Sequence, residues 1–123
     1  MNKFALISGT VFGFLTVAIG AFGAHGLKGI LEANNRVATF ETAVQYQSFH
    51  ALALLLVGLL AMKIDSNLLT YAAYMFTVGT IIFSGSLYTL SITNLTFLGA
   101  ITPIGGLLFL VGWGMLLVSI VKN

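Results

Sequence analysis

Four long apolar runs alternate with three short polar stretches along the chain. Phe4 to Ala24 holds no charged residue, a second run ends at Met62 before Lys63 and Asp65, a third extends from Leu68 to Ile92, and a fourth from Leu95 to Val121. A bilayer core of about 30 Å is crossed by about 20 helical residues, so each run is long enough to span. The pattern predicts an all-α protein: a single integral membrane domain over residues 1–123, folded as a transmembrane four-helix bundle, antiparallel and up-and-down. The expected helices cover roughly 4–24, 40–62, 68–92 and 95–121. A basic start at Lys3 and small residues at Gly20 to Ala24 also suit a secretory signal, but a signal's apolar region is only about 7–15 residues long, and the membrane helix is the better reading.

The connections are less regular. His25 to Phe40 contains Gly26 and Gly29 as helix breakers and a turn at Glu32 to Arg36, after which a helix is expected to begin at Asn35 or Thr39. Pro103 lies inside the fourth run. Either that helix starts early and kinks, or Thr102 caps it and Pro103 is its first residue; the apolar character of Phe97 to Ile101 favours the kink.

The side-chain patterns give each helix an inside. Gly9, Gly13, Gly20 and Gly23 share one side of the first helix, opposite Phe4, Ile7, Val11 and Phe14. Small residues let helix backbones approach closely in lipid, so these glycines, with Gly105, Gly106 and Gly112 of the fourth helix, are expected at packing contacts. In the second helix Tyr46, Gln47, His50, Ala53 and Val57 lie opposite Leu52, Leu55, Leu56 and Leu59, and in the third Thr77, Thr80, Ser84, Tyr88 and Ser91 form a polar stripe. Both polar sides should face the bundle interior.

Counting about 20 residues back from Met62 reaches Ala43, which places Gln45 to His50 inside the bilayer. Alternating helix direction brings His25, the Tyr46 to His50 segment, Ser84 to Tyr88, and Thr102 to the same membrane half. The candidate polar cluster is therefore His25, Glu41, Gln45, Tyr46, Gln47, His50, Ser84, Ser86, Tyr88 and Thr102. The other half is hydrocarbon.

Composition narrows the function classes. Hydrophobic residues make up 59% of the chain, charged residues 7%, and mean hydropathy is +1.06. Soluble domains carry about a quarter charged residues, so lipid must cover much of this surface. The net charge of +2 is scattered near the ends of apolar runs and forms no basic face, which excludes nucleic acid as a partner. Lys3, Lys63 and Lys122 on one side outnumber Lys28 and Arg36 on the other, which predicts cytoplasmic termini. The absence of cysteine removes thiolate and disulfide chemistry.

Several segments also carry a resemblance. Gly20-Ala21-Phe22-Gly23-Ala24-His25-Gly26-Leu27, Thr42-Ala43-Val44-Gln45-Tyr46-Gln47 with Phe49-His50, Phe83-Ser84-Gly85-Ser86-Leu87-Tyr88 and Thr102-Pro103-Ile104-Gly105-Gly106 resemble the family called domain of unknown function 423, small four-span bacterial membrane proteins with eukaryotic relatives. The resemblance covers nearly the whole chain. It implies the four-helix topology and a bacterial plasma-membrane setting, and it implies no activity.

Three readings of the polar half follow. In the favoured one, the protein is a structural or accessory bundle whose polar side chains hydrogen-bond to each other, with the lipid bilayer and a homo-oligomer or another membrane protein as partners. The second is an intramembrane binding or transport site for a small molecule, proton or ion, centred on His50 and His25 with Glu41 at its mouth and shaped as a half-depth pocket. The third is haem or metal binding by His25 and His50 facing each other, with Glu41 as a further metal ligand. Two histidines without a third certain ligand are a weak metal signal, and no cofactor or metal is expected. No nucleophile with its base, paired carboxylates or phosphate loop can be assembled, and a Ser84–His50 dyad is the single conceivable catalytic pair, so the chain is not expected to be an enzyme.

Overall fold

The computed structural model describes residues 2–123. It is all helical among those residues, with four helices long and apolar enough to cross a membrane. The first span, α1 (Lys3–Gly26), is α-helical to Ala18, π-wound over Ile19–Gly23, and α-helical again over Ala24–Gly26. A short helix α2 (Lys28–Ala33) follows, then α3 (Val37–Leu60), α4 (Asn67–Thr93) and α5 (Thr102–Val121), the last preceded by a 3-10 turn at Thr96–Ala100.

The side chains at the helix ends explain the boundaries. Asn2 caps α1 through a 3.1 Å bond from the Ala5 amide, while its own amide group donates to Thr70 Oγ1 at 3.2 Å, so one residue starts α1 and ties it to α4. Ser66 caps α4 by accepting from the Leu68 amide. Asn94 ends α4 in the left-handed conformation, φ 56°. The orphan carbonyls there are met from afar: Asn34 donates to the carbonyls of Ser91 (3.1 Å) and Ile92 (3.0 Å), and Arg36 donates to Asn94 Oδ1. This use of the α2–α3 turn explains why α3 begins directly after it, at Val37, instead of at Asn35 or Thr39.

The His25 to Phe40 connection is more ordered than the glycines suggest. Gly26 and Gly29 have open space where a Cβ would sit, and Lys28 to Ala33 winds as a helix that buries Leu31. At Pro103 the chain takes the second of the two expected forms with a modification. The α-helix begins at Thr102 with Pro103 in its first turn, where a missing amide costs nothing, and Phe97 to Ala100 is held in the 3-10 turn. Thr102 is the first helical residue and not the cap.

Neighbouring spans run antiparallel. Gly9 lies against Ala51 and Gly23 against Phe40, which sets α1 against α3; Gly112 lies against Phe76 and Gly105 against Phe83, which sets α5 against α4. The helices pack in chain order, α1 on α3, α3 on α4 and α4 on α5, while α1 and α5 do not close on each other. Helices α3 and α4 are thus central, and α1 is the least buried span. Their core joins Ala53, Leu54 and Val57 to Leu69, Ala73 and Phe76, with Phe109 and Leu116 from α5. Outward, Phe14, Phe22 and Leu110 are at least 70% exposed, and so large an apolar exterior requires hydrocarbon around it.

Candidate functional site

Helical spacing in α3 sets Gln47 and His50 on its buried side, one turn apart, and each side chain bridges helices. Gln47 is 3% exposed. Its Nε2 donates to the Phe12 carbonyl of α1 at 3.0 Å, and its Oε1 accepts from the Tyr88 hydroxyl of α4 at 2.6 Å. One amide therefore holds three helices in register.

His50 is equally buried and equally committed. Its Nδ1 lies 2.9 Å from the Tyr46 carbonyl, and its Nε2 lies 3.1 Å from Trp113 Nε1 of α5. An indole nitrogen only donates, so Nε2 must accept and Nδ1 must carry the proton. The arrangement selects a neutral imidazole in one tautomer. Phe109, one turn before Trp113, stacks on the same ring at 3.6 Å between centroids with 7° between planes, and Phe76 and Phe49 flank it at 5.3 Å each.

The remaining hydroxyls are also engaged. Ser84 donates to the Ala43 carbonyl at 2.8 Å, joining α4 to α3. Ser86 and Thr102 approach to 2.6 Å and join α4 to α5; Ser86 also reaches the Phe83 carbonyl at 2.9 Å and Thr102 the Leu98 carbonyl at 3.3 Å. Thr80 and Ser91 bond back to carbonyls of their own helix. Among the described residues, Thr77 Oγ1 is the one buried side-chain nitrogen or oxygen without a partner.

The ten candidate residues thus divide into two groups. Gln47, His50, Ser84, Ser86, Tyr88 and Thr102 make interhelical bonds inside the bundle, although as separate clamps instead of one pool. His25, Glu41 and Gln45 are exposed, at the outer end of α1 and α3. Tyr46 is 41% exposed, with its ring packed on Phe83 at 4.6 Å. The register of α1 on α3 keeps the two histidines apart: His25 lies just beyond Gly23, which packs on Phe40, whereas His50 is ten residues further along α3, about 15 Å by helical rise. No three His, Cys, Asp or Glu side chains converge among the described residues. Ser84 and His50 have separate partners and form no dyad.

Two groups of residues lie outside the candidate cluster and packing glycines read from the sequence. Trp113 and Phe109 complete the environment of His50, and their spacing of four on α5 is the signal that they share a face. Among the glycines, Gly9, Gly20, Gly23, Gly105 and Gly112 meet neighbouring atoms, as do the unanticipated Gly58 against Leu6 and Gly79 against Phe109. Gly13 has nothing near it, and Gly106 only an ordinary contact with the Phe83 ring.

Because α3 and α5 touch through side chains and not through their backbones, a cleft of about 520 Å³ opens between them toward the lipid, walled by Tyr46, Phe49, Phe83, Phe109 and Trp113 with His50 in its lining. A second cavity, of about 430 Å³, lies where α1, α2 and α3 meet at the end of the bundle, and it includes Glu41 and Gln45.

Comparison with known proteins places the chain. The model of the family "Protein of unknown function (DUF423)" matches residues 19–106, which include both cavities' α3 walls and the interhelical polar bonds described above, except the Asn2 end of the bond to Thr70, the Phe12 end of the Gln47 clamp and the Trp113 end of the His50 clamp. The chain is similar to a UPF0382 membrane protein of Staphylococcus haemolyticus, with 43% identity over 98% of this chain and 97% of the relative. It is 43% identical to the UPF0382 membrane protein YwdK of Bacillus subtilis, over 98% of each, and 36% identical to the UPF0382 inner membrane protein YgdD of Escherichia coli K12, over 98% of this chain and 92% of the relative. No solved structure matches it. With four membrane-length helices and relatives of this similarity along almost its whole length, the chain is a small multi-pass membrane protein and belongs to the DUF423 family.

Proposed function

We propose that this is a structural or accessory membrane protein, one integral domain whose buried polar side chains fix the register of four helices and neither conduct nor catalyse. The observation that carries the reading is the double commitment of Gln47 and His50, each with both of its polar ends bonded within the bundle. The imidazole is stacked on Phe109 and flanked by Phe76 and Trp113. The far half of the bundle is filled by Ala5, Leu54, Val57 and Leu69, which provide no polar relay.

In this reading the termini are cytoplasmic, in keeping with the three-to-two Lys/Arg distribution. The partners are bilayer lipid and a second copy or another membrane protein against the outer faces of α1 and α5. The test is flux. Wild-type protein reconstituted in vesicles containing a pH-reporting dye is expected to pass protons no faster than protein-free vesicles under an imposed potential, and His50→Ala is expected to leave that unchanged. A wild-type proton flux abolished in His50→Ala would overturn the reading.

A further inference from the structure

The cavity at the junction of α1, α2 and α3 has the makings of a phospholipid headgroup site. Two polar pairs with a spacing of four line it: Lys28 and Glu32 from α2, and Glu41 and Gln45 from α3. All four side chains are exposed, and none makes a hydrogen bond or ion pair with another described residue. Charges of both signs thus line one cavity of about 430 Å³ with no ion pair between them. That volume lies within the range of about 300–1,000 Å³ typical of small-molecule sites. Below the charges the lining turns apolar, with Leu31, Phe40 and Val44 meeting Gly20 and Ala24 of α1. Gly20 belongs to the π-wound turn Ile19–Gly23, a local widening that recurs at functional sites.

Depth and charge identify the occupant. Lys28 lies two residues beyond the end of the α1 span and Glu41 in the second turn of α3, so the charged residues sit at headgroup level while the apolar lining reaches toward the acyl region. One ammonium and two carboxylates favour a head that carries both signs with a hydrogen-bonding ammonium, and they disfavour an anionic head. We infer that this cavity binds one membrane phospholipid with a primary-amine zwitterionic head. Lys28 meets its phosphate, Glu32 and Glu41 meet its ammonium, Gln45 bonds to either, and the first methylenes of a chain lie along Phe40 and Val44. The site is separate from the buried clamps around Gln47 and His50.

The test uses the full chain in detergent, equilibrated with equal amounts of phosphatidylethanolamine, phosphatidylcholine and phosphatidylglycerol of identical chains, with lipid retention read by native mass spectrometry. One phosphatidylethanolamine is expected to be retained at least five-fold over either competitor. The preference should disappear in Glu32→Gln/Glu41→Gln, and in Ala24→Leu, which fills the apolar lining without touching a charge; both variants should keep the wild-type circular dichroism. Free glycerophosphoethanolamine at the same concentration should not displace the lipid, because it lacks the chains. Equal retention of the three lipids would overturn the inference. So would a preference that persists in both variants, or displacement by the chain-free head.

Discussion

Trp113 of α5 donates its indole N–H to Nε2 of His50 of α3 across 3.1 Å, and it is this contact that fixes which imidazole nitrogen carries the proton. It also joins two helices whose backbones stay apart. Replacing Trp113 with Phe keeps an aromatic ring beside Phe49 and Phe76 but leaves Nε2 without its donor. The expected loss is about 0.6–2 kcal/mol, the range for interhelical bonds in membranes, read as a lower midpoint of thermal unfolding in detergent. A midpoint equal to wild type would mean that the bond contributes nothing.

Gln47 and Tyr88 should be energetically coupled. The cycle formed by Gln47→Leu, Tyr88→Phe and the double variant isolates the 2.6 Å bond between them, with a coupling of about 0.5–2 kcal/mol expected. Gln47→Leu alone should cost more than Tyr88→Phe alone, because it also releases the Phe12 carbonyl of α1.

Neighbouring glycines on α5 should respond very differently. A Cβ on Gly105 would lie 2.5 Å from the Phe83 backbone nitrogen, which cannot move without parting α4 from α5. Gly105→Ala is expected to destabilise by about 1–3 kcal/mol or more. At Gly106 the nearest atoms lie 3.9 Å away in the Phe83 ring, and at Gly13 nothing lies within 4 Å, so alanine at either should change stability by less than about 0.5 kcal/mol.

These contrasts show what the sequence makes legible. The four spans follow from run length because the bilayer sets a minimum, and the polar stripe Thr80, Ser84, Ser91 turns inward because lipid rewards nothing else. Periodicity gives a residue's side of a helix, but not where along its length a neighbour touches it. Gly9 and Gly13 share a face, yet only Gly9 meets α3. His25 and His50 share a membrane half, yet the register of α1 on α3 separates them. Asn34 and Asn94 read as turn residues, while their joint service at the end of α4 depends on contacts 57 and 58 positions away in the chain, which no local pattern encodes.

Orientation rests on one charge. Reporter fusions at Asn123 should be active only as cytoplasmic fusions, and fusions in the Lys63 turn should behave alike. Because the margin is a single residue, Lys63→Glu is expected to produce a mixed population, whereas an unmixed wild-type topology with external termini would reverse the assignment.

The imidazole of His50 reports most directly on whether the interhelical clamps are closed within the bundle. Nitrogen-15 NMR of the reconstituted protein should find His50 neutral, with a protonated Nδ1, a bare Nε2 and a cross-hydrogen-bond correlation from that Nε2 to the Trp113 indole proton. A protonated Nε2, or an imidazole correlated with water instead of with Trp113, would contradict the closed network and make His50 a group free to act on something else.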